Sequence, residues 1–282
     1  MNNTALSRSK ELQIKAEEIR RRVIEIIYSA KGGHTGGSLS SVDLQTLLYF
    51  HVLNIDPQQP DMPGRDRFIL SKGHSVEALY ATLAARGFVS QETLDTYGQY
   101  NSPLAGHPTK KTPGVELNSG ALGHGLSVGV GMAIGARMSG MHYRTFVLMG
   151  DGEQGEGSIY EAAMAAGHYQ LGSLVAIIDR NTLQISGRTE EVMGLEPMRE
   201  RWSSFGWEVQ EVDGNDMDAL LATFGALDFR NQVPKLIIAR TVKGKGVSFM
   251  EDGAKWHHGV PSEEQYKTAI AEINERIKRL QS

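Results

Sequence analysis

The chain has 282 residues, 40% of them hydrophobic and 22% charged, which is ordinary globular composition with length enough to bury a large core. A formal net charge of -4 without any clustered Lys/Arg stripe argues against a nucleic-acid partner. Zero cysteines exclude disulfides, zinc-thiolate sites and cysteine nucleophiles and fit a reducing cytoplasm, and neither a signal peptide nor a stretch approaching a membrane span is visible.

In chain order, Ser9 to Ala30 predicts a helix, with Leu12, Ala16, Ile19, Val23, Ile26 and Ile27 on one stripe. Lys31-Gly32-Gly33 stops it, and His34-Thr35-Gly36-Gly37-Ser38 follows as a loop. Ser40 or Ser41 is expected to cap a second helix from Val42 to about Leu53. Arg67 to Leu70 reads as a short buried strand that delivers Ser71-Lys72-Gly73-His74, and a helix over Val76–Arg86 is stopped by Gly87. Tyr97 to Glu116 lacks periodicity and holds Pro103, Pro108 and Pro113, so it predicts a long ordered loop of the functional kind, with His107 inside it.

From Gly120 the run GALGHGLSVGVGMAIGARM predicts a loop entering a helix that carries Gly125, Gly129, Gly131 and Gly135. Such glycines imply close packing in the core or at a subunit contact. The run is not a dinucleotide fingerprint, because the position of a third glycine is taken by Val128.

The stretch Gly150 to Gly187 organises the rest. Thr145 to Met149 is a strand that breaks into Gly150-Asp151-Gly152; a helix is expected over Ser158–Tyr169, and a second apolar run, Leu174 to Ile178, ends at Asp179-Arg180-Asn181. In such a unit the strands lie parallel and both loops leave the same edge of the sheet, so Asp151 and Asn181 can meet. A carboxylate, an amide oxygen and a free carbonyl of the second loop make a hard-oxygen set suited to Mg²⁺ or Ca²⁺. The start of the following helix would add N–H donors for a diphosphate. A lone Asp-Gly is more often a hairpin turn; the spacing and the second polar loop are what set this one apart.

Beyond it, Trp207 to Val212 predicts a strand, Asp218 to Leu227 a helix, and Lys235 to Thr241 a strand ending in Lys243-Gly244-Lys245-Gly246, followed by Trp256-His257-His258-Gly259. The C-terminal helix, about 262–281, opens with a capping-box pattern at Ser262 and Gln265 and buries Tyr266, Ile270, Ile273, Ile277 and Leu280. There is no repeat and no linker composition. A single α/β domain over 1–282 is expected, with a mostly parallel sheet and helices on both faces.

Of the nine histidines, His34, His74, His107, His124 and His168 each follow a glycine. His34, His74 and His107, with His257, fall in loops where catalytic groups sit. One loop histidine is usually a surface residue; four are harder to set aside. Zinc is the rival use, but no two of these four share the close spacing of a structural zinc site. His51, His142 and His168 read as structural.

The stretch beginning GDG and ending in an Asn-containing loop resembles the thiamine diphosphate motif. GDGEQGEGSIYEAAM and NTLQISGRTE resemble transketolase, especially its two-gene form. SAKGGHTGGSLS, RDRFILSKGHSVEALY and LAGHPT are similar to the family's three histidine motifs, NSGALGHGLSVGVGMA to its diphosphate loop, and KGKGVSFMEDGAKWHHGVP to its last histidine loop. The resemblance covers nearly the whole chain. It implies thiamine diphosphate as cofactor and a thiamine diphosphate-binding fold. It also implies Mg²⁺ as the metal, with Ca²⁺ or Mn²⁺ as substitutes, held by Asp151, the Asn181 side chain and the Leu183 carbonyl. Gly120, Leu122 and Gly152 approach the cofactor through backbone, and Glu156 sits near it at a subunit contact.

By the same resemblance His34 and His257 move protons in two-carbon ketol transfer between sugars, while His74 and His107 hold the donor hydroxyls and stabilise charge near the thiazolium, which makes His74 a cofactor-binding residue as well. That chemistry calls for groups titrating near neutrality. Two departures stand out: Arg180 replaces the usual Asn or Asp, and Trp-His-His-Gly replaces Trp-His-Gly, where counting from Trp256 favours His257 over His258. The glutamate that grips the cofactor's pyrimidine lies on a second domain of the family, beyond Ser282. The expectation is therefore an N-terminal subunit, inactive alone, that joins a C-terminal partner subunit in an α2β2 assembly and self-associates through the glycine-rich helix. Its substrates would be sugar phosphates. Open alternatives are a 2-oxoacid dehydrogenase α-like or deoxyxylulose-phosphate-synthase-like half, or a non-catalytic cofactor-binding subunit.

Overall fold

The computed structural model describes residues 3–282. Five strands, β1 (Arg67–Leu70), β2 (Thr145–Gly150), β3 (Leu174–Arg180), β4 (Glu208–Asp213) and β5 (Lys235–Arg240), form one sheet in the order β1-β2-β3-β5-β4, and every pairing is parallel. Parallel strands need helical crossovers, and these cover both faces. The helices are α1 (Asn3–Ala30), α2 (Thr35–Ser40), α3 (Val42–Leu47), α4 (Val76–Arg86), α5 (Gln91–Asp95), α6 (Gly125–Met138), α7 (Gly157–His168), α8 (Thr189–Val192), α9 (Met198–Ser204), α10 (Met217–Gly225) and α11 (Glu263–Gln281).

The two-residue period of the strands sorts the core. Phe146, Leu148, Val175 and Ile177 point into the layer containing α1, α4, α10 and α11, whereas Val147, Met149, Ala176 and Ile178 point into the layer of α6, α7 and α9. A continuous apolar run is what a strand buried on both faces requires. The capping box at Ser262 and Gln265 forms as the sequence predicts.

Several local expectations fail for identifiable reasons. The segment after His34 is helical rather than a loop. Its glycines are set by crowding: a Cβ on Gly36 would lie 3.0 Å from the Trp256 carbonyl, and one on Gly37 would lie 2.8 Å from Ser75 Oγ. Neither serine caps through its side chain, because Ser40 Oγ donates to Asp179 Oδ2 (2.6 Å) and Ser41 Oγ donates back to the Ser38 carbonyl (3.1 Å). The second helix narrows to Leu47 and continues as a π-helical turn, Leu48–Val52, whose loosened carbonyls at Tyr49 and Val52 accept from Arg86 (3.1 Å) and Arg144 (2.6 Å). After Gly150-Asp151-Gly152 comes a 3₁₀ turn, Gly152–Gly155, so α7 begins only at Gly157 and its first turn lies outside the cleft described below.

The strand order reverses between β3 and β5: the chain leaves β3 for the edge at β4 and returns to pair β5 with β3. In open parallel sheets the loops diverge at such a reversal and leave a crevice at the carboxyl edge. The loops after β1, β2, β3 and β5 meet there.

Candidate active site

The cleft at this edge holds about 380 Å³, within the range of small-molecule sites. It is lined by His34, Lys72, His74, Gly120, Leu122, Asp151, Gly152, Asn181, Leu183, Lys243, His257 and His258, among others. A crevice of about 500 Å³ opens between α1, α11 and the start of α10. Its charges are spent on one another, with Arg20 paired to Glu17 (2.5 Å) and Asp43 (2.9 Å) and Arg276 to Glu17 (3.0 Å), so the smaller cleft is where chemistry converges.

The two loops of the Gly150–Gly187 stretch meet as their spacing predicts. β2 and β3 pair up to Gly150 opposite Asp179, and the Asp151 N–H donates to the Asp179 carbonyl at 3.3 Å. Asp151 is buried, and its two oxygens have different surroundings. Oδ2 accepts from the Thr182 N–H (2.7 Å), Arg180 Nη1 (3.1 Å) and Thr189 Oγ1 (3.3 Å); Oδ1 accepts only from the adjacent Gly152 N–H (2.8 Å). Asn181 Oδ1 accepts from the Leu183 N–H (3.2 Å), and the Leu183 carbonyl accepts from Lys243 Nζ (3.2 Å). Burial raises the Asp151 carboxyl above its ordinary range, Asp179 adds to the shift, and Arg180 opposes it.

These oxygens fit a hard divalent cation. Asp151 Oδ1, Asn181 Oδ1 and the Leu183 carbonyl each have a single donor from the protein, and their three residues line one cleft. The approach to Gly152 is also tight, since a Cβ there would lie 2.9 Å from Gln184 Cγ.

The histidines come together from four separate parts of the chain. Ring centroids of His34 lie 5.2 Å from His74, 5.5 Å from His257, 3.9 Å from His258 and 6.2 Å from His107, while His74 stacks on His257 at 5.4 Å. The Glu77 carboxylate positions His34, accepting from its N–H (3.1 Å), from Ser38 Oγ (2.7 Å) and from Tyr97 Oη (2.8 Å). Gly33 is required beside it, because its φ is +148° and a Cβ would lie 2.6 Å from Glu77 Oε1. His107 is exposed at the rim, against Gly120, where a Cβ would lie 3.1 Å from its ring.

The expectation of imidazoles titrating near neutrality is corrected. Burial, then the neighbouring imidazoles and the Lys243 and Lys72 ammonium groups, lower His34 to about 4. Burial and Lys243 lower His257 to about 3, and burial with Lys72 lowers His74 as well. At neutral pH these rings are uncharged, so each can accept a hydrogen bond, and the surroundings that keep them neutral also make each a weaker base than a free imidazole.

The spacing argument against zinc also fails in three dimensions, since His34, His257 and His258 offer ring nitrogens within 4.8 Å of one another. A different fact weighs against a metal there: Lys243 Nζ sits 2.9 Å from His257 Nδ1, so that nitrogen faces an ammonium. Metal-bound imidazoles direct their second nitrogen to an acceptor.

Sequence reasoning passed over Lys72, Lys243, Glu77 and Glu153, because charged side chains are surface residues by default. Lys72, buried, reaches the Gly37 carbonyl (2.9 Å) and pairs with Asp179. Burial alone would raise Asp179, but Lys72 with Ser40 and Thr241 holds it below the usual range. Lys243 is lowered to about 8, first by burial and then by Lys72. Glu153 braces the glycine loop to the GDG turn, accepting from the Gly123 N–H (2.8 Å), the Gly150 N–H (3.0 Å) and Ser71. The one signal was position, since Lys72 and Lys243 both follow buried strands. Glu156 is not brought into the cleft; it is exposed at the start of α7.

A parallel sheet whose carboxyl edge gathers hard oxygens, two buried lysines and clustered imidazoles belongs to the class of open α/β domains that bind a ligand in the crevice at the strand ends. The chain belongs to the transketolase family: residues 12–276 match the transketolase, thiamine diphosphate binding domain. It is 58% identical over 270 residues to one of the subunits of the apulose-4-phosphate transketolase of Phocaeicola vulgatus, covering 96% of both chains. It is 40% identical over 264 residues to the 6-deoxy-6-sulfo-D-fructose transketolase subunit SqwG of a Clostridium species, covering 93% of this chain and 96% of the other. The transketolase of Campylobacter jejuni superposes with a TM-score of 0.87 at 30% identity, covering 97% of this chain but 43% of that one. The chain is thus a transketolase-type transferase subunit, and it spans less than half of the solved transketolase chains it matches.

Proposed function

We propose that this chain is the diphosphate-binding half of a two-chain transketolase, and that a C-terminal partner subunit supplies the pyrimidine-binding half. The reading rests on one observation above all: the clustered rings of His34, His74 and His257 line one cleft with Asp151, Asn181 and Leu183 at a single sheet edge. Similarity over nearly the full length to proteins that are themselves named as single subunits of a transketolase supports the two-chain arrangement.

In this reading Asp151, Asn181 and the Leu183 carbonyl hold Mg²⁺, with Ca²⁺ or Mn²⁺ able to substitute. Gly120, Leu122 and Gly152 give the cofactor close backbone approach. Thiamine diphosphate, when bound, stabilises the two-carbon fragment between donor and acceptor sugars. Lys72 and Lys243 place positive charge where a diphosphate arrives, and that anion would raise the neighbouring imidazoles from their lowered values. Of His257 and His34, both uncharged at neutral pH, one takes the single proton of the donor C3 hydroxyl as the C2–C3 bond breaks. The proton so gained is then available for the acceptor aldehyde oxygen. His74 and His107 hold donor hydroxyls.

The substrates are read as a ketose phosphate or related ketose and an aldose phosphate, a class supported by the apulose-4-phosphate and sulfo-fructose names of the relatives. The fold is read as one domain, with an α2β2 assembly in which α6 supports self-association and Glu156 lies at a subunit contact. Gly131 and Gly135 favour this, since a Cβ on either would meet nothing within the chain, leaving a smooth strip on α6 beside exposed Met138 (83%). A cytoplasmic setting accords with the lack of cysteine. Among the described residues no helix is long and apolar enough to cross a membrane.

The test is a two-carbon-transfer assay of this chain alone, of its partner alone and of the mixture, with Mg²⁺ and thiamine diphosphate. Transfer is expected only in the mixture. Full activity of this chain by itself would sink the reading.

A further inference from the structure

Arg180 stands where the Gly150–Gly187 stretch departs from its family pattern, and its side chain is 4% exposed. Nη1 donates to Asp151 Oδ2 at 3.1 Å, while Nη2 donates to Glu190 Oε1 (2.6 Å) and Glu196 Oε1 (3.2 Å). Glu190 lies on α8, which follows a small hairpin: Thr189 N–H donates to the Thr182 carbonyl (2.9 Å), Gln184 N–H to the Gly187 carbonyl (2.9 Å), and Leu183 pairs with Arg188 antiparallel. That hairpin carries Leu183, Gln184, Ile185 and Ser186 into the cleft wall.

We infer that Arg180 is a positioning residue of the cation site: it binds Oδ2 of Asp151 into the protein, leaves Oδ1 for the cation, and through Glu190 and Glu196 fastens the 182–189 hairpin to the same carboxylate. The inference rests on Asp151 being a metal ligand. A carboxylate free to rotate offers either oxygen in many directions. One whose Oδ2 is held by Arg180, Thr182 and Thr189 presents Oδ1 in a single direction. A guanidinium suits this task because its rigid planar fork aims one N–H group at Asp151 and another at Glu190 and Glu196, a fixed geometry that a compact ammonium does not reproduce.

The repulsion between Arg180 and a bound cation is offset by the carboxylates that the guanidinium holds. Arg180 faces the carboxylates of Asp151, Glu190 and Glu196, so the cluster keeps a surplus of negative charge. Since the hairpin supplies the Leu183 carbonyl, hairpin closure and divalent-cation affinity become one equilibrium. A cation should slow the opening of 182–197, and loosening Arg180 should weaken the cation.

The test uses the reconstituted two-chain complex and titrates Mg²⁺ at fixed thiamine diphosphate, reading cofactor binding by tryptophan fluorescence. Arg180→Gln is expected to raise the Mg²⁺ concentration at half-saturation by about tenfold or more, the size seen when groups behind a ligand are removed. At saturating Mg²⁺, kcat should stay within about twofold, because an interaction that serves only binding moves affinity and not turnover. Arg180→Lys should recover part of the loss. If Arg180→Gln does not fold, Glu190→Gln combined with Glu196→Gln cuts the hairpin side of the link alone and is expected to shift the Mg²⁺ midpoint in the same direction. Hydrogen exchange of 182–197 should quicken in either variant, and Mg²⁺ should no longer protect it fully.

An unchanged Mg²⁺ midpoint and unchanged exchange would overturn the inference, as would a fall in melting temperature with no change in midpoint. Asp151→Ala separates the two levels. If it leaves Mg²⁺-dependent binding intact, the metal reading itself is wrong; if it abolishes binding while the Arg180 variants do nothing, only the role of Arg180 is wrong.

Discussion

Thr35 Oγ1 donates a 2.6 Å hydrogen bond to the carbonyl of Gly259, across 224 positions of sequence. It joins the turn that carries His34 to the loop that carries His257 and His258. Between the same two segments the Gly244 N–H donates to the Gly36 carbonyl (3.0 Å), and Trp256 is anchored from behind by Nε1 donating to the Phe249 carbonyl (2.9 Å). His34 and His257, the pair proposed to handle protons, are therefore held by a stitch that neither histidine makes itself.

Removing that stitch should loosen the pair without touching the cofactor oxygens. Thr35→Val keeps the shape of a buried side chain and deletes its hydroxyl. It is expected to cost about 1–2 kcal/mol of stability, the loss of one buried hydrogen bond. It should also lower kcat of the complex by about tenfold, since misplaced catalytic groups are costly. The Mg²⁺ requirement should not move. A variant with normal kcat would show that the stitch does not position the histidines.

The two adjacent histidines should divide by role. His257 is half-buried, stacked on His74 and in contact with Lys243, whereas His258 is exposed at the mouth against His34. His257→Ala is predicted to lower kcat by about 10²–10⁴, the usual contribution of a positioned acid-base group. His258→Ala is predicted to act on substrate KM while kcat stays within a few-fold. Steady-state kinetics of both variants decide it, and the reverse pattern would move the proton-handling role to His258.

Acid should destabilise the chain through these rings. His34 and His257 sit at about 4 and about 3, below an ordinary imidazole value of 6.5. Between those values the unfolded chain binds protons that the folded chain refuses, so their contribution rises with pH and is complete above about 6.5. Buried Asp151, Glu77 and Glu153, which are raised, act in the opposite sense. The diagnostic is consequently the difference between two curves. Urea midpoints measured from pH 7 to 4 should fall less steeply in the His34→Asn/His257→Asn double variant than in the parent, and parallel curves would contradict the assignment.

Glycines on the two sides of α6 should respond differently. A Cβ on Gly129 would lie 2.6 Å from Val147 Cγ2, inside the core, so Gly129→Ala should destabilise the chain by about 1–3 kcal/mol through overpacking. A Cβ on Gly131 would meet nothing, so Gly131→Arg should leave the melting temperature nearly unchanged. If α6 forms the self-association surface, that same variant should shift the complex to a smaller species in sedimentation. Loss of stability with no change in assembly would place Gly131 in the core instead.

Much of the site was legible in the linear chain. Asp151, Asn181 and His74 stand just past the ends of strands whose apolar runs are plain, and parallel pairing then dictates that their loops share an edge. The strand at Arg67–Leu70 and the helix at Val76–Arg86 fall where the pattern puts them, because Gly87 in a left-handed conformation is a strong stop. The helix at Thr35–Ser40 was not legible. Gly36 and Gly37 speak locally for a loop, and only crowding by Trp256 and Ser75 explains them. The short helices at Gln91–Asp95, Thr189–Val192 and Met198–Ser204 were missed because four to seven residues carry too little periodicity to show.

The sequence by itself determined the succession of the five strands and the longer helices, the hard-oxygen pair on the Gly150–Gly187 stretch and the kind of chemistry the histidines permit, because these depend on residue type and spacing along the chain. Tertiary structure alone decided the rest: which donors each Asp151 oxygen receives, how Lys72 and Lys243 come to be buried in the same cleft, and why His34 and His257 are neutral. Those properties come from what packs around a group after distant segments meet, and burial and neighbouring charge have no signature in the residue that feels them.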